Sequence, residues 1–73
     1  MIDIIFGQVL KQLRTEKGLS QEEFAANAGL HRTYISQLER GLKSPSLRVM
    51  AKISSELGIT LVQLMTELEQ NQK

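Results

Sequence analysis

The stretch SQEEFAANAGLHRTYISQLERG, from Ser20 to Gly41, decides the fold. Ser20 opens a capping box with Glu23, in which hydroxyl and carboxylate each answer an orphan amide of a starting helix. Phe24, Ala25 and Ala28 fall on the inward face of that helix, which Gly29 breaks. After a turn of about three residues a second short helix runs from roughly Arg32 to Arg40, and Gly41 closes it. Its inward positions are Ile35 and Leu38. The small side chain of Ala25 lets the two helices cross steeply without being pushed apart. Two short helices on a tight glycine-containing turn form a helix-turn-helix when the second is exposed and polar. With Ile35 and Leu38 turned inward, Arg32, Thr33, Ser36 and Gln37 face outward. Such a face can hydrogen-bond to base edges in a DNA major groove.

Upstream, Ile2, Ile5, Phe6, Val9, Leu10 and Leu13 recur at helical spacing and form one apolar stripe, with Gly18 as its stop. Downstream, Ser44-Pro45-Ser46 starts a fourth helix; Pro45 as first helical residue and Ser46 as cap both satisfy the local rules. Leu47, Met50, Ile53, Ser54 and Leu57 then follow a stripe to Gly58. Thr60-Leu61-Val62-Gln63 is a second capping box, opening a fifth helix through Leu68, and Asn71 to Lys73 are expected to fray. No strand pattern, repeat or linker interrupts this. The expectation is an all-α, five-helix single domain over 1–73, with the helix-turn-helix at about 20–41 and a dimerising fifth helix at about 60–69.

Seventy-three residues suffice for one modest core, and 41% apolar with 23% charged residues is too apolar for a disordered chain. The absence of cysteine excludes disulfides and thiolate chemistry. The N-terminus has no basic run before its apolar residues, and no apolar stretch approaches ~18 residues. Secretion and membrane spanning are therefore not expected, and the default location is cytoplasmic. The net charge of +1 is uninformative, but its distribution is not. Between His31 and Lys52, Arg32, Arg40, Lys43, Arg48 and Lys52 stand against Glu39 alone, a local charge of +4. Glu56, Glu67 and Glu69 follow, so a basic middle precedes an acidic end, as suits one phosphate-facing surface. One histidine and no carboxylate pair on an apolar face leave nothing from which to assemble a catalytic pocket, so no enzyme is expected. His31 also lacks companions to complete a metal site. The sequence calls for no metal, cofactor or small-molecule ligand.

At these residues the chain resembles the Cro/repressor-type (Xre) helix-turn-helix family of phage and bacterial regulators. The resemblance spans about Phe6 to Met65, including the LRTEKGLSQEEFA opening and the LERG close of the third helix. Within that family, HRTYISQLERG looks most like the controller proteins of restriction–modification systems. The resemblance implies a lambda-repressor-like DNA-binding domain. It gives Gln21 the role of touching phosphate and bracing the recognition helix; as a residue, Gln21 equally suits a helix cap. Arg32, Thr33 and Gln37 occupy base-reading positions, and Arg32 either grips guanine or meets phosphate. Tyr34 either contacts backbone or a thymine methyl, or packs over the second helix. Arg40, Lys43, Ser44 and Arg48 look like phosphate anchors, with Lys43 also within reach of a base at the groove edge. Ser20, His31 and Ser36 join the phosphate-facing set, His31 having capping as its other reading. Arg14 and Glu39 match a structural ion pair of the family.

The fifth helix carries Leu61, Val62, Leu64, Met65 and Leu68, more apolar surface than one side of a short terminal helix needs. Leu61, Val62, Met65 and Leu68 are read as a dimer interface, the alternative being that Met65 and Leu68 complete the protomer core. The resemblance implies a homodimer through the last helix, its recognition helices roughly 34 Å apart on a near-palindrome. The partners expected are double-stranded DNA, a second copy and, for a transcriptional regulator, RNA polymerase. The competing reading is an antitoxin-type autoregulator. That would need an added segment to wrap a toxin, and almost nothing follows the fifth helix.

Overall fold

Side-chain caps open three of the five helices, the second, fourth and fifth, whereas His31 at the start of the third makes no capping bond. The computed structural model describes residues 1–72: α1 (Ile2–Glu16), α2 (Gln21–Ala28), α3 (Arg32–Glu39), α4 (Leu47–Leu57) and α5 (Leu61–Asn71), with no strand among the described residues. At α2 the Ser20 Oγ accepts from the Glu23 amide at 3.0 Å while Glu23 Oε1 accepts from the Ser20 amide at 2.9 Å. The bond from the Ser20 amide foremost, and the Ser20 hydroxyl after it, hold the Glu23 carboxyl below its ordinary range. Thr60 and Gln63 form the same box at α5, at 3.0 and 2.8 Å. At α4, Ser46 is the cap, accepting from the Val49 amide at 3.1 Å, which leaves Pro45 outside the helix. Gly29 ends α2 at φ 71°, a left-handed conformation that a Cβ would strain, and so sets the sharp entry to α3.

Phe24, Leu10, Ile35, Leu38, Ile53 and Leu64 are fully enclosed, with Phe6, Val9, Ala25, Leu57 and Leu68 completing the core. Each such large side chain contributes about 1.5–3 kcal/mol by leaving water. Helix α1 packs on α3 and α5, α2 packs on α3 and α4, and α4 meets α5. Two stripe residues fall outside this core: Ile2 is 48% and Leu47 70% exposed. Each is the first residue of its helix, at the edge of the packed layer. Helix α5 continues through Asn71 rather than ending at Leu68. Beyond Leu68 come Glu69, Gln70 and Asn71, with no glycine or proline to stop the helix, and the Asn71 side-chain Nδ2 donates to the Glu67 carbonyl at 2.8 Å. The helical conformation therefore includes Asn71, where fraying was expected to begin, and Lys73 lies outside the described residues.

Helices α1 and α3 approach unusually closely at Gly7. A Cβ at this position would fall on the Leu38 carbonyl oxygen and 2.6 Å from that of Glu39. Only glycine lets the α1 backbone lie against the end of α3.

Candidate nucleic-acid interface

The two sides of α3 divide cleanly. Ile35 and Leu38 are fully buried, whereas His31, Arg32, Thr33 and Arg40 are exposed and Ser36 and Gln37 half-buried. Side-chain hydrogen bonds at this helix come from Glu39 and from Arg40, whose Nε donates to the Ser36 carbonyl at 3.4 Å. Arg32, Thr33, Ser36 and Gln37 make none among the described residues. Their polar groups are thus available to an outside partner. Tyr34 is half-buried and packs against the core.

The inner end of α3 is anchored by one carboxylate. Glu39 accepts from Arg14 Nε at 2.6 Å, from Arg14 Nη2 at 3.0 Å and from Gln21 Nε2 at 3.0 Å. Arg14 Nη1 also donates to the Leu19 carbonyl at 2.7 Å. The two charged side chains are only 8% and 3% exposed. Fork-to-fork geometry and full hydrogen bonding make this burial tolerable. The hydrogen bond to Glu39 holds the Arg14 guanidinium more firmly protonated than an ordinary arginine, outweighing the opposing effect of burial. Helices α1, α2 and α3 therefore meet at Glu39. Gln21 braces that junction, and its Nε2 keeps a second N–H for another acceptor.

The remaining residues separate into three places. Lys43 and Ser44 stand exposed on the segment between α3 and α4, where the Ser44 hydroxyl donates to the Asp3 carboxylate of α1. Ser44, expected to offer its proton to phosphate, already has an acceptor. Arg48 lines a shallow cleft between α2 and α4 with Asn27, Lys52 and Glu56, and Asn27 Nδ2 donates to Glu56 at 3.0 Å. On α5, Val62 is 75% exposed, Leu61 and Met65 are half-buried, and Leu68 sits in the protomer core. Leu68 thus helps complete the protomer core, the other reading open to it, because the turn that carries it packs inward with Leu64. Leu61 borders a depression with Ser46, Leu47, Arg48 and Ala51, which brings exposed Leu47 to the α4–α5 surface. Sequence reasoning missed Asp3, Gly7 and Leu47. Gly7 alone carried a signal, a glycine inside an otherwise unbroken helical stripe.

Among the described residues there is no group of three His, Cys, Asp or Glu side chains that would hold a metal, and no helix long and apolar enough to cross a membrane. Residues 10–64 match the helix-turn-helix family model. The chain is 52% identical over 69 residues to Control protein C.MunI of a Mycoplasma species, covering 93% of each. Among solved structures, the restriction-modification controller protein C.AhdI from Aeromonas hydrophila superposes with a TM-score of 0.82 at 44% identity, covering 85% of this chain and 94% of that one. The controller protein C.Esp1396I, solved as a tetramer in complex with its natural 35 base-pair operator, superposes with a TM-score of 0.89 at 30% identity, covering 97% and 93%. The chain belongs to the Cro/repressor-type (Xre) helix-turn-helix family of DNA-binding transcriptional regulators and, within it, is similar to the restriction–modification controller proteins.

Proposed function

We propose that this chain is a controller-type regulator that binds a near-palindromic DNA site as a homodimer and reads it with α3. The observation that carries the proposal is the unengaged polar face of Arg32, Thr33, Ser36 and Gln37, set on a helix whose other side is locked to α1 and α2 through Glu39. Arg32, Thr33 and Gln37 are assigned to base edges, with Tyr34 at the margin. Gln21, Ser20, His31, Arg40, Lys43 and the more distant Arg48 are assigned to phosphates. The likeness to C.Esp1396I, solved on its own operator, supports the same chemistry here. RNA polymerase and a cytoplasmic setting follow from the proposed class of function, and no catalytic role is proposed.

The N-terminal end of a recognition helix points into the groove, while its C-terminal end passes the backbone. Arg32→Ala should therefore cost ~1–3 kcal/mol at one base pair per half-site and relax the preference there. Arg40→Ala should weaken all sequences about equally and lower the salt slope by about one per protomer. Selection of bound duplexes from a random pool compares the two. An Arg32 variant that recovers the wild-type motif undiminished would make Arg32 a phosphate contact.

For the homodimer we assign the α4–α5 surface carrying Leu47, Leu61, Val62 and Met65, on which Leu47 and Val62 are exposed and Leu61 and Met65 half-buried in the isolated protomer. Because Val62 is exposed, Val62→Glu should leave the protomer folded and convert the dimer to monomer in sedimentation, weakening DNA binding to that of a half-site. A Val62→Glu chain that still sediments as a dimer would move the interface elsewhere.

A further inference from the structure

We infer that Asp3 is a positioning residue of the DNA-binding surface, holding the segment between α3 and α4 through the Ser44 hydroxyl so that Lys43 is presented in one orientation. This deepens the function proposed above and rests on it. The segment from Gly41 to Pro45 follows α3 directly and carries Lys43, one of the basic side chains assigned to phosphate. Its first residues are tied only to α3 itself: the Gly41 amide donates to the Leu38 carbonyl at 3.1 Å and the Leu42 amide to the Gln37 carbonyl at 3.0 Å. Past Leu42, among the described residues, the Ser44 hydroxyl donating to Asp3 is the one hydrogen bond that fastens the segment to another element.

Packing on the same side of α1 supports a fixed path. Gly41 lies so close to Ile4 that a Cβ would come within 2.8 Å of Ile4 Cγ1 and 3.0 Å of its Cα. One turn further, Gly7 lies under the last carbonyls of α3. Asp3, Ile4 and Gly7 thus form a rail along which the end of α3 and the following segment run. Below it, Ile2, Phe6, Pro45, Met50 and Met65 line an apolar groove with the Asp3–Ser44 pair at its edge. The first two contacts on the rail are steric and set the distance of approach. The hydrogen bond is directional, and it sits beside Lys43.

Two effects of Asp3 on a bound duplex oppose one another. Its carboxylate repels phosphate over a distance set by salt, near 10 Å at about 0.1 M. Its hydrogen bond keeps the segment in the binding-competent arrangement, and apparent affinity scales with the fraction of protein in that arrangement. The asparagine variant separates the two, since it keeps an acceptor oxygen and removes the charge.

The test compares Asp3→Ala, Asp3→Asn, Ser44→Ala and the double alanine variant of the full chain, on a random-sequence duplex at low salt. Ser44→Ala should weaken binding about 2- to 10-fold per protomer, the range of one net hydrogen bond. Asp3→Ala and the double variant should weaken it equally to one another but less, because they also remove the repelling charge. Asp3→Asn should bind as tightly as wild type or more tightly. In the free protein, nitrogen-15 relaxation should show the Lys43 and Ser44 amides more mobile in Asp3→Ala and unchanged in Asp3→Asn. The inference is overturned if Ser44→Ala weakens binding while Asp3→Ala tightens it, because Ser44 would then be a phosphate donor. It is equally overturned if those two amides keep their wild-type relaxation in Asp3→Ala. A wild-type chain that binds no duplex would instead refute the DNA-binding proposal, while relaxation in the free protein still decides whether Asp3 holds the segment.

Discussion

Glu39→Ala is expected to destabilise the chain by about 3–5 kcal/mol, because it leaves the Arg14 guanidinium buried without its countercharge. That is a large share of the roughly 4–11 kcal/mol that a domain of this size possesses at ~0.05–0.15 kcal/mol per residue. Three donors lose their acceptor at once: two from Arg14 and one from Gln21. The Leu19 carbonyl remains to Arg14 but carries no formal charge. At about 4–8 °C per kcal/mol for a domain of this length, the melting temperature should drop by at least ~12 °C. Arg14→Met combined with Glu39→Leu should recover much of the loss, since an apolar pair has no charge to desolvate. Urea unfolding of the wild type and the two variants provides the measurement. A loss below about 1 kcal/mol for Glu39→Ala would match an exposed pair and contradict the burial described.

Binding to duplex DNA is expected to weaken by on the order of 10³ between 50 and 200 mM salt. The estimate comes from the surface of α3 and its following segment. Arg40 and Lys43 there, with Arg48 on α4, are the exposed cations assigned to phosphate, giving six in a dimer. Six neutralised phosphates correspond to a logarithmic slope of about −5 on B-DNA. Glu39, the one acid of the His31–Lys52 segment, offsets none of this, because its carboxylate is turned inward and spent on Arg14. The field outside the basic segment is therefore stronger than its sequence charge indicates. Titrations of a fluorescent duplex across that salt range check the slope. An affinity indifferent to salt would exclude the phosphate-facing surface proposed here.

Local chemistry was legible in the sequence because its causes lie within a few residues. Both capping boxes, the left-handed Gly29 and the inward Ile35 and Leu38 follow from rules spanning one or two helical turns. Pro45 and Ser46 satisfied those rules equally, and only the Val49 amide distinguished them. Periodicity gave the angle of each stripe correctly but not its length. Leu47 and Ile2 lie at the right angle but at helix starts that stay exposed, while Leu68, near the end of its helix, is buried. The Arg14–Glu39 pairing came from family resemblance, since no local rule connects residues 25 positions apart. Asp3 and Ser44, 41 positions apart, had neither guide. Gly7 was visible only as an oddity, because what it accommodates is the backbone of another helix.

The division of labour along α3 has an evolutionary consequence. Ile35, Leu38 and Glu39 hold the helix, while Arg32, Thr33, Ser36 and Gln37 contribute no hydrogen bond to that hold. Those four codons can diverge with little penalty to folding, much as a key can be recut without altering its shank. A lineage that must acquire a new target sequence, or stop answering to a sister protein's target, has this route open in a few substitutions. The reverse holds for Gly7, Arg14, Gln21 and Glu39, whose replacement disturbs the mounting whatever sequence is being read. Variation among orthologues with different targets should accordingly gather on one side of a single eight-residue helix.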